Sequence, residues 1–390
     1  MNILMLAPEP FFEPRGTPIS VYFRIKALGE LRHTVTLITY PMGQEVKLAG
    51  LKVVRIPNLF GVRRVKIGPS WIKIPLDLLL FLRAGYEMAT SSYDLVFSHE
   101  EAAFAGVWLA RIWKKPHIYD MHSSLPQQLE NFHFTRSRLI LALFRWMERM
   151  VLRNSQAILV ICPDLLNKVE SLGQKKKAVL LENFLDFPPE DFSTEEITAQ
   201  KRQLAPAGEK LVLYAGNFEP YQGIPLLLAA AKLVEPGIRF LLLGGTGRAR
   251  LEMEREAERV GVSDRVFFLD KVPPSRVSLY ISIADVLVSP RLAGTNTPLK
   301  IYAWLKSGKP LVATNLWTHT QVLGPETAIL VAPDPQSLAR GISFALSNPA
   351  AAEKARAARE KAEREYTVAR YHEKMELVLQ KARMYSMRQA

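Results

Sequence analysis

Short apolar runs recur along the whole chain, separated by stretches whose apolar positions fall at helical spacing. In the first half the runs are 2–7 (NILMLA), 34–39 (TVTLIT), 51–56 (LKVVRI), 94–98 (DLVFS), 116–121 (PHIYDM), 156–161 (QAILVI) and 177–181 (KAVLL). Runs this short and this apolar read as strands, and helical patterns separate many of them, 21–31 for example. That alternation predicts a mostly parallel sheet with helices on both faces. The second half alternates more regularly, with strands at 210–215, 239–244, 265–270, 285–289, 310–314 and 328–332. Residues 183–203, with FPPED and STEE, read as a linker. The stretch 347–387 is Ala- and charge-rich and helical, broken around Asn348-Pro349 and near Tyr366-Thr367. The pattern predicts an α/β protein of two Rossmann-like, doubly wound domains.

Parallel sheets of this kind bind ligands beyond the carboxyl ends of their strands. Gly16, the His99–Glu100 pair, His122, Gly216, Gly244-Gly245 and the Gly294 loop all fall just past such ends and are expected to converge on one cleft. The stretch 288–314, VSPRLAGTNTPLKIYAWLKSGKPLVAT, is the expected centre. Gly294, Thr295, Asn296 and Thr297 suit a sharp turn and a helix cap, and Pro298 suits a first helical turn. Such a helix start offers unpaired N–H groups to an anion. No Asp or Glu occurs between Asp285 and Glu326, whereas Arg291, Lys300, Lys306 and Lys309 do. An ordinary loop opening an amphipathic helix satisfies the same pattern.

Composition narrows the class. The chain of 390 residues suits two domains, and 48% hydrophobic with 23% charged residues is globular. Its one cysteine, Cys162, excludes an intrachain disulfide and fits a reducing compartment, so a cytoplasmic place is expected. MNILMLAP lacks the basic start of a signal peptide, and the longest apolar run, Leu76 to Leu82, is interrupted by Asp77 and too short to span a bilayer. The net charge of +13 is spread over both halves and admits anionic substrates, a membrane surface or nucleic acid as partners. A solvated basic surface with no such role is the plain alternative.

With these elements in place the chain resembles the retaining glycosyltransferases of family four, which carry two Rossmann-like domains in the GT-B arrangement. The resemblance covers nearly the whole length. It rests on PRGTPISVYFRIKALGEL, DLVFSHEEAAFAG, PHIYDMHSS, LLENFLD, YAGNFEPYQGIPLLLAAAKL, FLLLGGTGRARLEMEREAERVGVSDRVFFLDKVP and PLKIYAWLKSGKPLVAT. The order of the set is specific to the fold and superfamily, not to a substrate. It implies an acceptor-binding domain over 1–190, joined by the helix 367–390, and a nucleotide-sugar domain over 205–366. It maps the site histidine onto His122, with a hydrogen-bonding role to donor sugar or acceptor, because the leaving phosphate can take the acceptor's proton. It implies donor contacts at Gly16, Gly216, Asn217, Gln222, Gly245, Lys271, Val272, Arg291, Gly294, Thr295, Asn296, Thr297 and Lys300. Acceptor contacts fall at Arg15, Thr17, His99, Glu100 and Ser123, with Asp120 supporting the loop.

The departures bear on function. The family has an Arg after the glycine of that donor strand and a Lys six residues beyond the glycine, and here these are Asn217 and Gln222. Its two Glu residues eight positions apart map onto Thr295 and Ala303. The chain has no Asp-x-Asp motif, so neither a metal nor any other cofactor is expected. The departing diphosphate's charge then falls to side chains and helix ends, with Arg291 and Lys300 in place of the missing pair. The resemblance therefore implies a metal-independent hexosyl-type transferase using a nucleoside diphosphate sugar and a glycan or lipid-linked acceptor of surface polysaccharide or glycolipid synthesis. A non-catalytic GT-B scaffold is the alternative that the missing charges permit. A nucleotide-sugar epimerase is a third, opposed by the acid-free run. Two basic, apolar stretches, 62–85 and 135–154, add an anionic membrane surface as an expected partner and a peripheral place on its inner face. A helix packed on its own sheet with a charged outer face fits them too. No nucleic-acid partner is expected.

Overall fold

The computed structural model describes residues 1–13, 16–65, 68, 70–131, 135, 137–183 and 191–386. The chain divides into two compact units. The first holds β1 (Asn2–Ala7), α1 (Gly16–Glu30), β2 (Thr34–Thr39), β3 (Leu51–Arg55), α2 (Lys73–Thr90), β4 (Leu95–His99), α3 (Ala102–Ile112), β5 (His117–Met121), α4 (Leu125–Asn131), α5 (Arg138–Asn154), β6 (Ala157–Val160), α6 (Pro163–Ser171) and β7 (Ala178–Leu180). Its seven strands run parallel in the order β3-β2-β1-β4-β5-β6-β7. β4, β5 and β6 are buried at every position, as strands covered on both faces must be. One core cluster packs Leu4, Leu6 and Val96 on Leu76, Leu80 and Leu109, and another packs Ile158 and Val160 on Val151 and Leu165.

The second unit runs through α7 (Thr194–Leu204), β8 (Lys210–Ala215), α8 (Ile224–Ala231), β9 (Ile238–Leu243), α9 (Gly247–Val260), β10 (Val266–Leu269), α10 (Val277–Ile283), β11 (Val286–Ser289), α11 (Lys300–Lys306), β12 (Leu311–Thr314), α12 (Trp317–Thr320), β13 (Ile329–Val331), α13 (Pro335–Ser347) and α14 (Pro349–Glu365). Its six parallel strands are ordered β10-β9-β8-β11-β12-β13. The final helix, α15 (Val368–Ser386), belongs to the first unit. The two doubly wound sheets are those the pattern predicts. In each, strand order reverses beside the unit's first strand, between β1 and β4 and between β8 and β11. A crevice opens beyond the strand ends at such a point.

Three expectations are corrected. The segment read as a linker ends in a helix, α7, which packs on α10, so the second unit begins before residue 205. Its signal was STEE: the Ser193 side chain accepts from Glu196 N at 3.1 Å, a helix N-terminus signature. Helix α1 starts at Gly16 rather than at 21. The helix after the Gly294 loop starts only at Lys300, and no side chain caps it. The C-terminal breaks fall where the sequence puts them, with Asn348 capping α14 through Ala350 N at 2.9 Å.

Candidate functional site

In the first unit the chemistry gathers where β4 and β5 end. His99 is the last residue of β4 and registers against Asp120 of β5, and His122 follows two positions on. Side chains alternate along a strand, so all three emerge on one face. They are buried, with His99 Nδ1 3.1 Å from His122 Nε2. Asp120 Oδ2 lies 3.5 Å from His99 Nδ1 and 3.4 Å from His122 Nε2, and Arg24 Nε of α1 donates to it at 2.8 Å. Burial works against the Asp120 carboxylate, yet the Arg24 guanidinium and the histidines hold it well below the usual range. Burial pushes His99 down to about 3. The ligand atoms of His99, Asp120 and His122 have the spacing of a metal centre. Arg24 already neutralises Asp120, however, and a cation added beside a buried guanidinium is strongly disfavoured, so the cluster reads as a hydrogen-bonded network.

Glu100 adopts a left-handed backbone at φ 47, uncommon outside glycine, and its Oε2 accepts from Ser123 Oγ at 2.8 Å. Burial pushes its carboxyl up to about 7. Ser123 also accepts from Gln128 Nε2 at 2.6 Å. Gly16 and Thr17 form the first turn of α1, while Arg15 lies outside the described residues. Sequence reasoning missed a neighbouring group. Tyr40, just past β2, donates to Asp77 Oδ1 at 2.5 Å, and Lys73 pairs with Glu101 at 2.7 Å. Burial, then Glu101, raises Asp77 to about 8. Its signal was visible as the one polar break in the apolar run of α2.

In the second unit the loops after β8 and β11 meet. Lys300 Nζ is buried 3.9 Å from the centroid of the Tyr214 ring and 5.1 Å from Trp304, with no hydrogen-bond acceptor. Burial, and then Arg291, depresses its pKa well below that of an ordinary lysine. Gly216 makes room for it, since a Cβ there would stand 3.3 Å from Nζ and 2.8 Å from the Tyr214 hydroxyl. That hydroxyl donates to Asn217 O at 2.7 Å, and Gln222 Nε2 donates to Asn217 Oδ1 at 3.1 Å. Gln222 Oε1 and Thr297 Oγ1 are also buried without a partner. Gly245 lies against Phe218, and Lys271 and Val272 follow β10.

Arg291, expected at the donor phosphates, also has a structural task. Its guanidinium staples its own loop, donating to Ala293 O at 2.7 Å and Asn296 O at 3.1 Å, over the Tyr221 ring at 5.1 Å. Gly294, at φ 119, is required there because a Cβ would meet Arg291 Nη2 at 2.4 Å. Further donors tie the loop from outside, Gln321 to Thr295 O at 2.7 Å and Thr318 to Asn296 O at 2.6 Å. Residues 294–297 are thus a hydrogen-bonded loop that ends before the helix starts at Lys300. The cation left without an acceptor is that of Lys300.

Two doubly wound parallel sheets, each with polar residues gathered past the strand ends at its switch point, define a protein of the double-Rossmann class. The chain matches the glycosyl transferases group 1 over residues 195–365 and the glycosyl transferase 4-like domain over 21–183. Between them the matches take in both units, and the chain belongs to the family-four glycosyltransferases of the GT-B fold. It is 28% identical over 66% of its length to a D-inositol 3-phosphate glycosyltransferase of Corynebacterium urealyticum, of which it spans only 64%. It is 24% identical to a phosphatidyl-myo-inositol mannosyltransferase of Mycobacterium leprae, with 94% of this chain and 93% of that one covered. In fold it matches Anabaena HepE, solved in complex with UDP, at a TM-score of 0.77 and 17% identity, over 97% of this chain and all of that one.

The Arg24–Asp120 pair generates a stability prediction. Asp120→Asn leaves a guanidinium buried without its counter-charge, at a cost of roughly 3 kcal/mol or more at pH 7. The folded carboxylate titrates below its unfolded value of about 3.9, so its contribution is present above that value and is lost as pH falls through the folded one. Urea unfolding should show a gap between wild type and variant that is full at pH 6 and narrows below about pH 4. A gap that stays constant into acid contradicts the pairing.

Proposed function

We propose that the protein transfers a hexose-type sugar, with retention, from a nucleoside diphosphate sugar to a glycan or lipid-linked acceptor, without a divalent metal. The observation that carries this is the Lys300 amine, buried and unpartnered beside Gly216 at the end of β8. The leaving diphosphate needs its charge stabilised, and a cation out of water does so most strongly. Lys300 takes the place of the family's Arg and Lys, and Gly216, Asn217, Gln222, Gly245, Lys271, Val272 and the 294–297 loop shape the donor pocket. His122 hydrogen-bonds the transferred sugar or acceptor, with His99, Glu100, Ser123 and Thr17 on the acceptor side. Complexes of HepE with UDP and with UDP-glucose support the donor class, and the lipid headgroup in the mannosyltransferase's name supports the acceptor class.

Lys300→Ala is expected to weaken binding of UDP far more than binding of uridine. A charge-assisted hydrogen bond is worth roughly 1.5–3 kcal/mol, about ten- to a hundredfold in affinity. Because burial already drives the amine toward its neutral form, wild-type affinity for UDP falls as pH rises from neutral toward the ordinary lysine range, and the variant loses that dependence. Calorimetry over that range, with and without EDTA, decides the matter. Unchanged affinities remove Lys300 from the phosphate site, absence of UDP binding in wild type returns the chain to the scaffold reading, and loss on EDTA with recovery on magnesium overturns the metal-free one.

The acceptor reading also has a surface. Helix α2 exposes Ile74, Leu78, Leu82 and Tyr86, one per turn, and Trp71 precedes it. Helix α5 exposes Leu139, Leu143 and Trp146 among Arg138, Arg145, Arg149 and Arg153, and α3, which packs on both, exposes Trp108 and Ile112. Arg136 of the predicted stretch lies outside the described residues. No helix among the described residues is long and apolar enough to cross a membrane. We infer a peripheral contact with anionic lipid, where each basic residue adds about 1 kcal/mol and salt screens it. Phosphatidylglycerol vesicles should sediment the protein at low salt and phosphatidylcholine vesicles should not. Leu78→Glu with Trp146→Glu should abolish the difference, and equal behaviour on both vesicles contradicts it.

A further inference from the structure

Arg24 stands in the middle of α1, yet no solvent reaches it. A guanidinium has five N–H donors and no acceptor, so a buried one is fixed by whatever acceptors surround it. Here they come from three separate segments. Nε donates to Asp120 Oδ2 on β5 at 2.8 Å, and Nη2 to the Leu181 carbonyl beyond β7 at 3.0 Å. Nη1 donates to the hydroxyl of Tyr371 on α15, whose ring also lies 5.3 Å from the guanidinium carbon. Tyr371 is itself buried. Helix α15 follows the whole second unit in sequence but packs in the first.

The Asp120 oxygen that Arg24 holds is the one facing both histidine rings. The 3.1 Å contact between His99 Nδ1 and His122 Nε2 needs one ring to donate and the other to accept. Asp120 Oδ2, 3.5 Å from His99 Nδ1 and 3.4 Å from His122 Nε2, accepts from whichever nitrogen carries the proton, so the carboxylate holds both ring edges turned toward it and toward each other. Replacing a buried ion pair by apolar groups of similar volume is often neutral for stability, so packing alone does not account for this one.

We propose that Arg24 and Tyr371 are positioning residues for the His99–His122 pair, so that the seating of α15 fixes the ring orientation of His122. This rests on the proposed function only in that His122 faces substrate. The test is nitrogen-15 NMR of the histidine rings in the full chain, for wild type, Tyr371→Phe and Arg24→Lys. Tyr371→Phe keeps the ring and its packing and removes only the hydroxyl.

Wild type should show a single tautomer for each of His99 and His122. Tyr371→Phe should lose that signature for both, as should Arg24→Lys. His117, held by Ser98 and Ser155, and His319, held by Ser289 and Thr314, should keep theirs. Should Arg24→Lys fail to fold, Tyr371→Phe alone decides. Hydrolysis of UDP-glucose, with water taking the glucosyl group and UDP leaving, adds a second readout: kcat falls by about tenfold while KM for the donor stays within about twofold, as expected when only geometry is lost. Wild-type His99 and His122 signals in folded Tyr371→Phe overturn the proposal. Failure of turnover in wild type would count against the transferase reading while the ring signals still decide this one.

Discussion

An ammonium taken out of water without a counter-ion is among the least favourable things a fold can hold. The Lys300 amine is in that position, against the face of Tyr214 and near Trp304, and burial, then Arg291, drives it toward the neutral form. The aromatic faces offset part of the cost through the ring quadrupoles, but neither supplies an anion. The surrounding chain is arranged to keep the amine there. Gly216 lacks the Cβ that would push it away, and Tyr214 is itself pinned through its hydroxyl to Asn217. Arg291 gives two of its five donors to loop carbonyls, whereas Lys300 Nζ has no acceptor. A buried amine kept without an acceptor, and able to hold a proton once an anion is beside it, suits a site for a diphosphate.

The first unit solves the opposite problem. There a carboxylate, a guanidinium and two imidazoles are buried together, and their charges are matched on the spot. The frame is again made from strand ends, because a parallel sheet whose order reverses leaves its polar loops at one edge. Near the matched network stand groups that are not at rest. Glu100 on a left-handed backbone and Asp77 beside Glu101 both have carboxyls raised toward neutrality by burial. Groups of this kind suit recognition of hydroxyl-rich ligands, for which a carboxyl that can donate as well as accept is useful.

How much of this was legible depended on the distance over which the signal acts. The strands were legible because KLVLYA or RFLLLG is apolar throughout and bounded by charge, glycine or proline, and both sheets follow from that alternation. Lys300 was legible because acidic residues are absent around it, which is a local property of the sequence. The staple role of Arg291 was not, since its acceptors are backbone carbonyls two and five residues on, and any residue supplies a carbonyl. Helix α7 was missed because FPPED outweighed the STEE cap that follows it. The Arg24 network was illegible for a different reason. Its partners lie 96 and 347 residues away, and nothing near Arg24 in the chain announces them.

We assign the donor phosphates to Lys300, with Asn217 and Gln222 standing where the family pattern has an Arg and a Lys. A crystal structure of the protein with UDP, grown without divalent metal, tests this assignment most directly. The account predicts a diphosphate oxygen about 2.7–2.9 Å from Lys300 Nζ, beside Gly216, with the Arg291 staple unchanged. A diphosphate bound away from Lys300, with the amine still lodged on the Tyr214 ring, would contradict it.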